Sequence, residues 1–128
     1  MIYLDTSVAF AHLLAEDRIP PRSLWRQPLV SSRLLEYEAW TRIHARGLTR
    51  SHAAALRDLL ARVALLELAP SVVARAIDPF PVPVGTLDAL HLASAEFLRA
   101  QGQEVSLATY DERMKAAASA LRIPLFQG

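Results

Sequence analysis

The chain has 128 residues, of which 52% are hydrophobic and 21% charged, and it contains no cysteine. This composition predicts one packed domain over residues 1–128, and it excludes disulfides, thiolate zinc sites and cysteine nucleophiles. The formal net charge of +1 is too small to indicate nucleic-acid binding by itself.

The apolar segments are too short or too often interrupted by charges to span a membrane. The longest, 53–69, contains Arg57, Asp58 and Arg62, and the first ten residues carry no basic leader. We therefore expect no membrane span and no secretory signal. The absence of cysteine suits a cytoplasmic protein.

Hydrophobic spacing predicts strands that alternate with helices along the chain. In chain order the elements are strand 2–4, helix 7–16, strand 28–31, helix 32–47, helix 49–66 capped by Thr49, short helix 71–77, helix 86–102 capped by Thr86, strand 104–110, helix 111–122 and a final edge strand at 123–126. Three prolines make 78–85 a stiff connector without regular helix. This order predicts an α/β fold with a mainly parallel central sheet.

Three aspartates stand where predicted strands end or helices begin. Asp5 ends the first strand, Asp111 follows the strand at 104–110, and Asp88 lies in the first turn of its helix. Ligands of such sheets bind beyond the carboxyl ends of the strands, so we expect the three carboxylates to share that edge. Helix capping or the helix dipole explains each one alone. Together they would repel one another, and a hard cation such as Mg²⁺ or Mn²⁺ relieves that repulsion, which favours a metal site.

The helix at 32–47 offers a fourth acidic ligand. Glu38 falls beside the apolar stripe that includes Leu35, whereas Trp40 lies on the side of Glu36. A solvent-facing helix surface also explains either glutamate. The periodicity does not decide between the two.

Carboxylates around divalent ions are sufficient for phosphodiester hydrolysis. Two ions roughly 3.5 to 4 Å apart activate water, neutralise the phosphate and stabilise the leaving oxygen, so no histidine base is needed. Of the four histidines, His91 is the best placed for a supporting role, although a packed core histidine is the more common meaning. The other three, His12, His44 and His52, are expected on helix surfaces.

Hydroxyl and arginine side chains accompany the acidic residues. Thr6, Ser7 and Thr109 flank Asp5 and Asp111, where they can hold carboxylates or phosphate, although capping equally explains Thr6 or Ser7. Three arginines follow Glu38 at near-helical spacing and can track an RNA backbone, although a solvated helix face is the more common meaning; they are Arg42, Arg46 and Arg50.

Four segments, in order over essentially the whole chain, resemble the PIN-domain ribonucleases called VapC toxins. They are IYLDTSV, SSRLLEYE, LDALHLASA and TYDERMKAAA. The resemblance implies a three-layer α/β/α PIN-like domain that cleaves RNA endonucleolytically with Mg²⁺, for which Mn²⁺ substitutes. Matched by position, it implies that the catalytic and metal-binding residues are Asp5, Glu38 in preference to Glu36, Asp88 and Asp111, with Thr6, Ser7 and Thr109 beside them.

The resemblance also implies partners. It predicts a homodimer and a cognate VapB-type antitoxin that reaches into the acidic site with a basic or bulky side chain. DNA would be bound only through that antitoxin. The RNA target and the number of metal ions stay open.

Two other enzyme or signalling functions fit the same residues poorly. A haloacid-dehalogenase phosphatase needs a second aspartate two residues after the first, where this chain has Ser7, and a receiver domain needs a lysine after a late strand, whereas Lys115 falls inside the last helix. The stronger rival is a PIN-like RNA-processing nuclease or a non-catalytic RNA-binding module outside any toxin–antitoxin pair. The complete acidic quartet argues against the binding-only version.

Overall fold

The computed structural model describes residues 1–127, in which short parallel strands alternate with helices. The elements are β1 (Ile2–Leu4), α1 (Thr6–Leu13), a 3₁₀ helix (Arg22–Arg26), β2 (Leu29–Ser32), α2 (Arg33–Ala45), α3 (Thr49–Ala61), β3 (Val63–Leu66), α4 (Pro70–Ala76), α5 (Thr86–Ala100), β4 (Ser106–Ala108) and α6 (Glu112–Ala120). No helix within these described residues is long and apolar enough to cross a membrane.

The strands form one sheet in the order β3-β2-β1-β4, and every pair is parallel. The chain builds outward from β1 to β2 and β3, and then returns to the other side of β1 to form β4. The direction of winding therefore reverses between β1 and β4. A crevice opens at such a reversal in parallel sheets, beyond the carboxyl ends of the two strands.

Both faces of the sheet are buried, because successive side chains of a strand point to opposite faces. In β1, Ile2 and Leu4 belong to one apolar cluster, which also contains residues of α1, α2 and α3. Tyr3 belongs to a second cluster with Leu92 of α5 and Met114 of α6. The expected three-layer α/β/α fold with a parallel sheet is confirmed.

The prediction of one helix from Thr49 through Leu66 is wrong in its second half. The helix ends at Ala61, and 63–66 form β3, which pairs with all four residues of β2. Val63 is buried in the first apolar cluster. Pairing with β2 and this burial prevail over the helical spacing of the segment, as tertiary context commonly does.

Two predicted helix caps and the final strand also differ from expectation. Leu48 and Gly85 precede the first residues of α3 and α5, and neither position makes a side-chain capping bond, so Thr49 and Thr86 are not the caps. The tail at 123–126 makes a single parallel bridge, Leu107 to Leu125, instead of a strand. Pro124 has no N–H with which to extend the ladder. The other predicted elements are present with slightly different bounds, and the connector at 78–85 has no regular helix.

Candidate active site

The crevice between β1 and β4 brings two of the predicted acidic residues together. Leu4 pairs with Ala108, and the backbone N–H of Asp5 donates to Ala108 O at 3.0 Å. Asp5 therefore leaves β1 beside the point where β4 continues towards Asp111. The two aspartates lie at the carboxyl edge of the sheet, where the strand pattern predicted them.

Asp5 is buried, and its two carboxylate oxygens have different surroundings. Oδ2 accepts hydrogen bonds from Ser7 Oγ and Thr109 Oγ1, both at 2.7 Å, and a longer capping bond of 3.4 Å from Ser7 N. Within residues 1–127, every hydrogen bond to this carboxylate ends on Oδ2. Asp5 thus caps α1 with Oδ2, and within residues 1–127 its Oδ1 has no hydrogen-bond partner, so capping does not exclude a ligand at Oδ1.

Hydroxyl groups fasten the ends of β1 and β4 to each other. Ser7 Oγ accepts from Tyr110 N at 2.9 Å, and Thr109 Oγ1 accepts from Asp111 N at 3.0 Å. Asp111 in turn caps α6, since its Oδ1 accepts from the N–H groups of Arg113 and Met114 at 2.8 and 3.1 Å. These bonds hold both aspartates against the crevice and, within residues 1–127, leave Asp111 Oδ2 unbonded.

Helix α2 separates the two candidate glutamates. Glu38 is 8% exposed, and its Oε1 meets His91 Nε2 at 2.7 Å and Thr6 Oγ1 at 3.0 Å. Glu36 is partly exposed and lies 3.4 Å from Arg33 Nη1. Of the two, Glu38 points towards the crevice, and Thr6 contacts it instead of Asp5.

His91 is buried between Glu38 and a residue that the sequence did not suggest. Its Nδ1 lies 2.7 Å from the hydroxyl of Tyr3, which is fully buried in β1. Burial raises the pKa of the Tyr3 hydroxyl far above its usual range, so this group stays protonated and can donate to Nδ1. Nε2 donates to Glu38, so both ring nitrogens of His91 have partners. His91 is the hydrogen-bonded core histidine that was expected, and it holds Glu38 in place.

Asp88 lies half-buried in the first turn of α5, and the charges of the other acids affect its pKa. Its pKa rises from 3.8 to about 6, first because of burial, then because of the negative charges of Asp5 and Asp111, with a smaller effect from Glu38 and a counteracting one from His91. These effects require proximity. Asp88 therefore lies within electrostatic range of each of the other three predicted acidic residues.

The donor chemistry of this cluster fits a hard divalent cation, because all four side chains offer carboxylate oxygens. As they stand, no three His, Asp or Glu side chains in the described part of the chain converge closely enough to hold one ion. Repulsion among bare carboxylates opposes such convergence, and a cation would remove that opposition.

Neither the most voluminous cleft of the described residues nor the three other histidines belong to this cluster. The largest cleft, about 820 Å³, opens at the opposite edge of the sheet, beside Met1 and Ser106, and none of the four acids lines it. His12, His44 and His52 are not buried, as expected for helix surfaces. Cleft volume alone would therefore indicate the edge of the sheet that lacks the four predicted acidic residues.

Comparison with known proteins gives concordant matches over most of the chain. The PIN domain family model matches residues 2–120. Ribonuclease VapC46 of Mycobacterium tuberculosis (strain ATCC 25618 / H37Rv) is 36% identical over 124 residues, which cover 94% of this chain and 92% of that protein. Ribonuclease VapC35 of strain CDC 1551 / Oshkosh is 32% identical over 129 residues, which cover 96% and 93%.

The contact between Tyr3 and His91 predicts a measurable loss of stability. Tyr3→Phe leaves the buried Nδ1 of His91 without a partner, which should lower the free energy of unfolding by about 1–3 kcal/mol. Tyr37 is 62% exposed, so Tyr37→Phe is the matched control and should change stability by less than about 0.5 kcal/mol. Denaturant unfolding measures both, and equal stability of the two variants would contradict the proposed hydrogen bond.

The raised pKa of Asp88 predicts that neutralising this residue stabilises the metal-free protein. The folded state binds the proton more tightly than the unfolded chain, so the contribution of Asp88 to stability falls as the pH rises from about 4 to about 6. Asp88→Asn should therefore raise the free energy of unfolding at pH 7.5 by about 1 kcal/mol, a value reduced for solvent screening.

The gain should shrink towards pH 4.5, where the wild-type carboxyl is largely protonated. Denaturant unfolding in the presence of a chelator measures the gain in the free energy of unfolding at the two pH values. Asp58 is exposed, so Asp58→Asn is the matched control. An Asp88→Asn protein no more stable than wild type at pH 7.5, or a gain equal at both pH values, would show that burial and the neighbouring acids do not raise the pKa of Asp88 in the folded state.

Proposed function

This chain belongs to the PIN-domain family, and from that membership we propose that it is a metal-dependent endoribonuclease and the toxin of a type II toxin–antitoxin pair. The observation that carries the proposal is the placement of Asp5 and Asp111 after the adjacent strands β1 and β4, with Asp88 close enough for their charges to help raise its pKa. Proteins retain such a costly arrangement where it performs chemistry. The names of the VapC relatives favour RNA as the substrate.

The proposed ligands of the ion are Asp5, Glu38, Asp88 and Asp111, with Mg²⁺ as the cofactor and Mn²⁺ as a substitute. When bound, such an ion neutralises charge on a phosphodiester and activates water for its hydrolysis.

The neighbouring residues keep these ligands in place. Ser7 and Thr109 fix one oxygen of Asp5 and leave the other directed to the site, while Thr6 and His91 fix Oε1 of Glu38. Supporting bonds of this kind preserve the orientation of ligands before the ion arrives.

The proposed partners follow from the relatives and from the charge of the site. A VapB-type antitoxin would block the crevice, where a basic side chain meets four acids, and DNA would be contacted only through that antitoxin. A homodimer in the cytoplasm completes the proposal. The same site would also serve a PIN-type RNA-processing nuclease, so toxicity needs its own experiment.

RNA cleavage tests the nuclease. The wild-type protein should cleave structured RNA in the presence of Mn²⁺ or Mg²⁺, and cleavage should stop when a chelator is added. Asp5→Asn and Glu38→Gln should each lower the rate by about 100-fold or more, because each removes a ligand. Glu36→Gln is the matched control on the same helix and should cleave at nearly the wild-type rate. Gel analysis of the products measures these rates.

Two results would contradict this assignment. Cleavage that persists in the chelator, or in Asp5→Asn, would show that the acidic site does not perform the reaction. Equal losses in Glu36→Gln and Glu38→Gln would show that α2 does not contribute through the buried glutamate.

Growth of cells that express the chain tests the toxin. Expression without a partner should arrest growth, and the Asp88→Asn protein, which we expect to be at least as stable, should not. Co-expression of a small protein encoded next to this gene should restore growth. Growth unaffected by a wild-type protein that cleaves RNA would favour the RNA-processing enzyme.

A further inference from the structure

A cleft of about 300 Å³ adjoins the acidic site and is lined by three arginines. Arg18 follows α1, and Arg42 and Arg46 lie in and at the end of α2; Ser7, Phe10 and Tyr110 form other parts of its wall. It is distinct from the acidic cluster, since none of the four acids lines it. The sequence pattern grouped Arg42 and Arg46 with Arg50, but Arg50 lies on α3 and outside the cleft.

The cleft reaches the acidic cluster through Ser7 and Tyr110. Its wall residue Ser7 donates to Asp5 Oδ2 at 2.7 Å and accepts from the backbone of Tyr110, the residue before Asp111. On α2, Glu38, Arg42 and Arg46 follow at intervals of four residues, so they share one side of the helix at steps of roughly 6 Å. A chain that passes the acids therefore meets the arginines next.

Two of the arginines are held by aromatic rings instead of by acids. The guanidinium of Arg42 lies 4.3 Å from the centre of the Phe10 ring, and that of Arg18 lies 5.4 Å from the centre of the Tyr110 ring. Arg18 Nη1 also donates to Tyr110 O at 3.4 Å. Stacking on a ring leaves the other N–H groups at the edge of the guanidinium available to an acceptor.

Within residues 1–127 none of the three arginines forms an ion pair, in contrast to Arg33 and Arg75, which pair with glutamates. Glu16 and Asp17 also line the cleft, yet neither approaches an arginine within ion-pair distance. Arg18 and Arg42 are therefore oriented by aromatic rings, and within residues 1–127 none of the three cationic groups is neutralised by an ion pair.

We propose that this cleft binds a backbone phosphate of the RNA next to the one that is cleaved, an inference that rests on the nuclease function proposed above. The acidic cluster repels a polyanion, so cationic groups beside it are needed to draw the RNA in. Arginine pairs with phosphate through two parallel N–H bonds. Such contacts position the strand and carry no base preference. A carboxylate of a partner protein would meet the same donors, and the experiment separates the two.

The test is the kinetics of RNA cleavage in Mn²⁺ at salt concentrations from low to moderate. Arg42→Gln with Arg46→Gln should raise KM by about fivefold for each arginine removed and leave kcat within about twofold. The slope of log(kcat/KM) against log salt should flatten by about 0.7 for each lost phosphate contact on a single strand. Lysine at both positions should restore the slope while KM stays raised, because lysine keeps the charge without the two-point geometry.

Arg50→Gln is the matched control, since it removes the same charge from an exposed position outside the cleft. An unchanged KM and slope in the double variant, or an equal rise of KM in Arg50→Gln, would overturn the phosphate site. If the double variant keeps wild-type RNA kinetics but no longer binds the co-expressed antitoxin, the cleft is a protein-docking surface, and this result also overturns the phosphate site. Absence of cleavage by the wild-type protein would instead overturn the nuclease function and, with it, the subsite.

Discussion

Repulsion among four carboxylates is the constraint around which this end of the molecule is built. Three of the acids are held in place by hydrogen-bond donors: Asp5 by two hydroxyls, Asp111 by backbone N–H groups, and Glu38 by a histidine and a threonine. Asp88 has no such hydrogen bond within residues 1–127, and it is the acid whose pKa rises to about 6. Hydroxyl and backbone N–H donors carry no full charge, so they hold Asp5 and Asp111 without neutralising them. The carboxylates therefore keep the negative charge that would attract a cation or a cationic side chain of a partner.

Sheet topology determines which parts of the chain take part. The acids come from positions 5, 38, 88 and 111, and they meet only because β4 returns beside β1 after the chain has built outward to β3. The crossover through α5 then delivers Asp88 and His91 to the same edge as the two strand ends. Loss of packing in the second apolar cluster, which Tyr3 shares with α5 and α6, would therefore displace several of these acidic residues at once.

Residues placed by the local order of strands and helices could be predicted from the sequence. Elements and contacts that depend on long-range pairing could not. Asp5 and Asp111 could be predicted because strand ends of a parallel sheet share an edge. Periodicity did not separate Glu38 from Glu36; the family resemblance did, and burial agrees with it. β3 was hidden because its four residues continue the apolar spacing of α3, and only the pairing with β2 makes them a strand. Nothing in the spacing joins Tyr3 to His91, since 88 positions separate them.

The tail that follows α6 has a consequence for how other molecules approach the crevice. Leu107 in β4 donates its N–H to Pro124 O and accepts from Phe126 N, both at 2.8 Å, so the outer edge of the strand that leads to Asp111 is already occupied. Incoming peptides commonly extend a sheet by adding a strand to an open edge. Because the tail covers the outer edge of β4, a peptide cannot add a strand there. A peptide inhibitor of this crevice would have to be selected for the side chains that it inserts, and its main chain would contribute little to affinity.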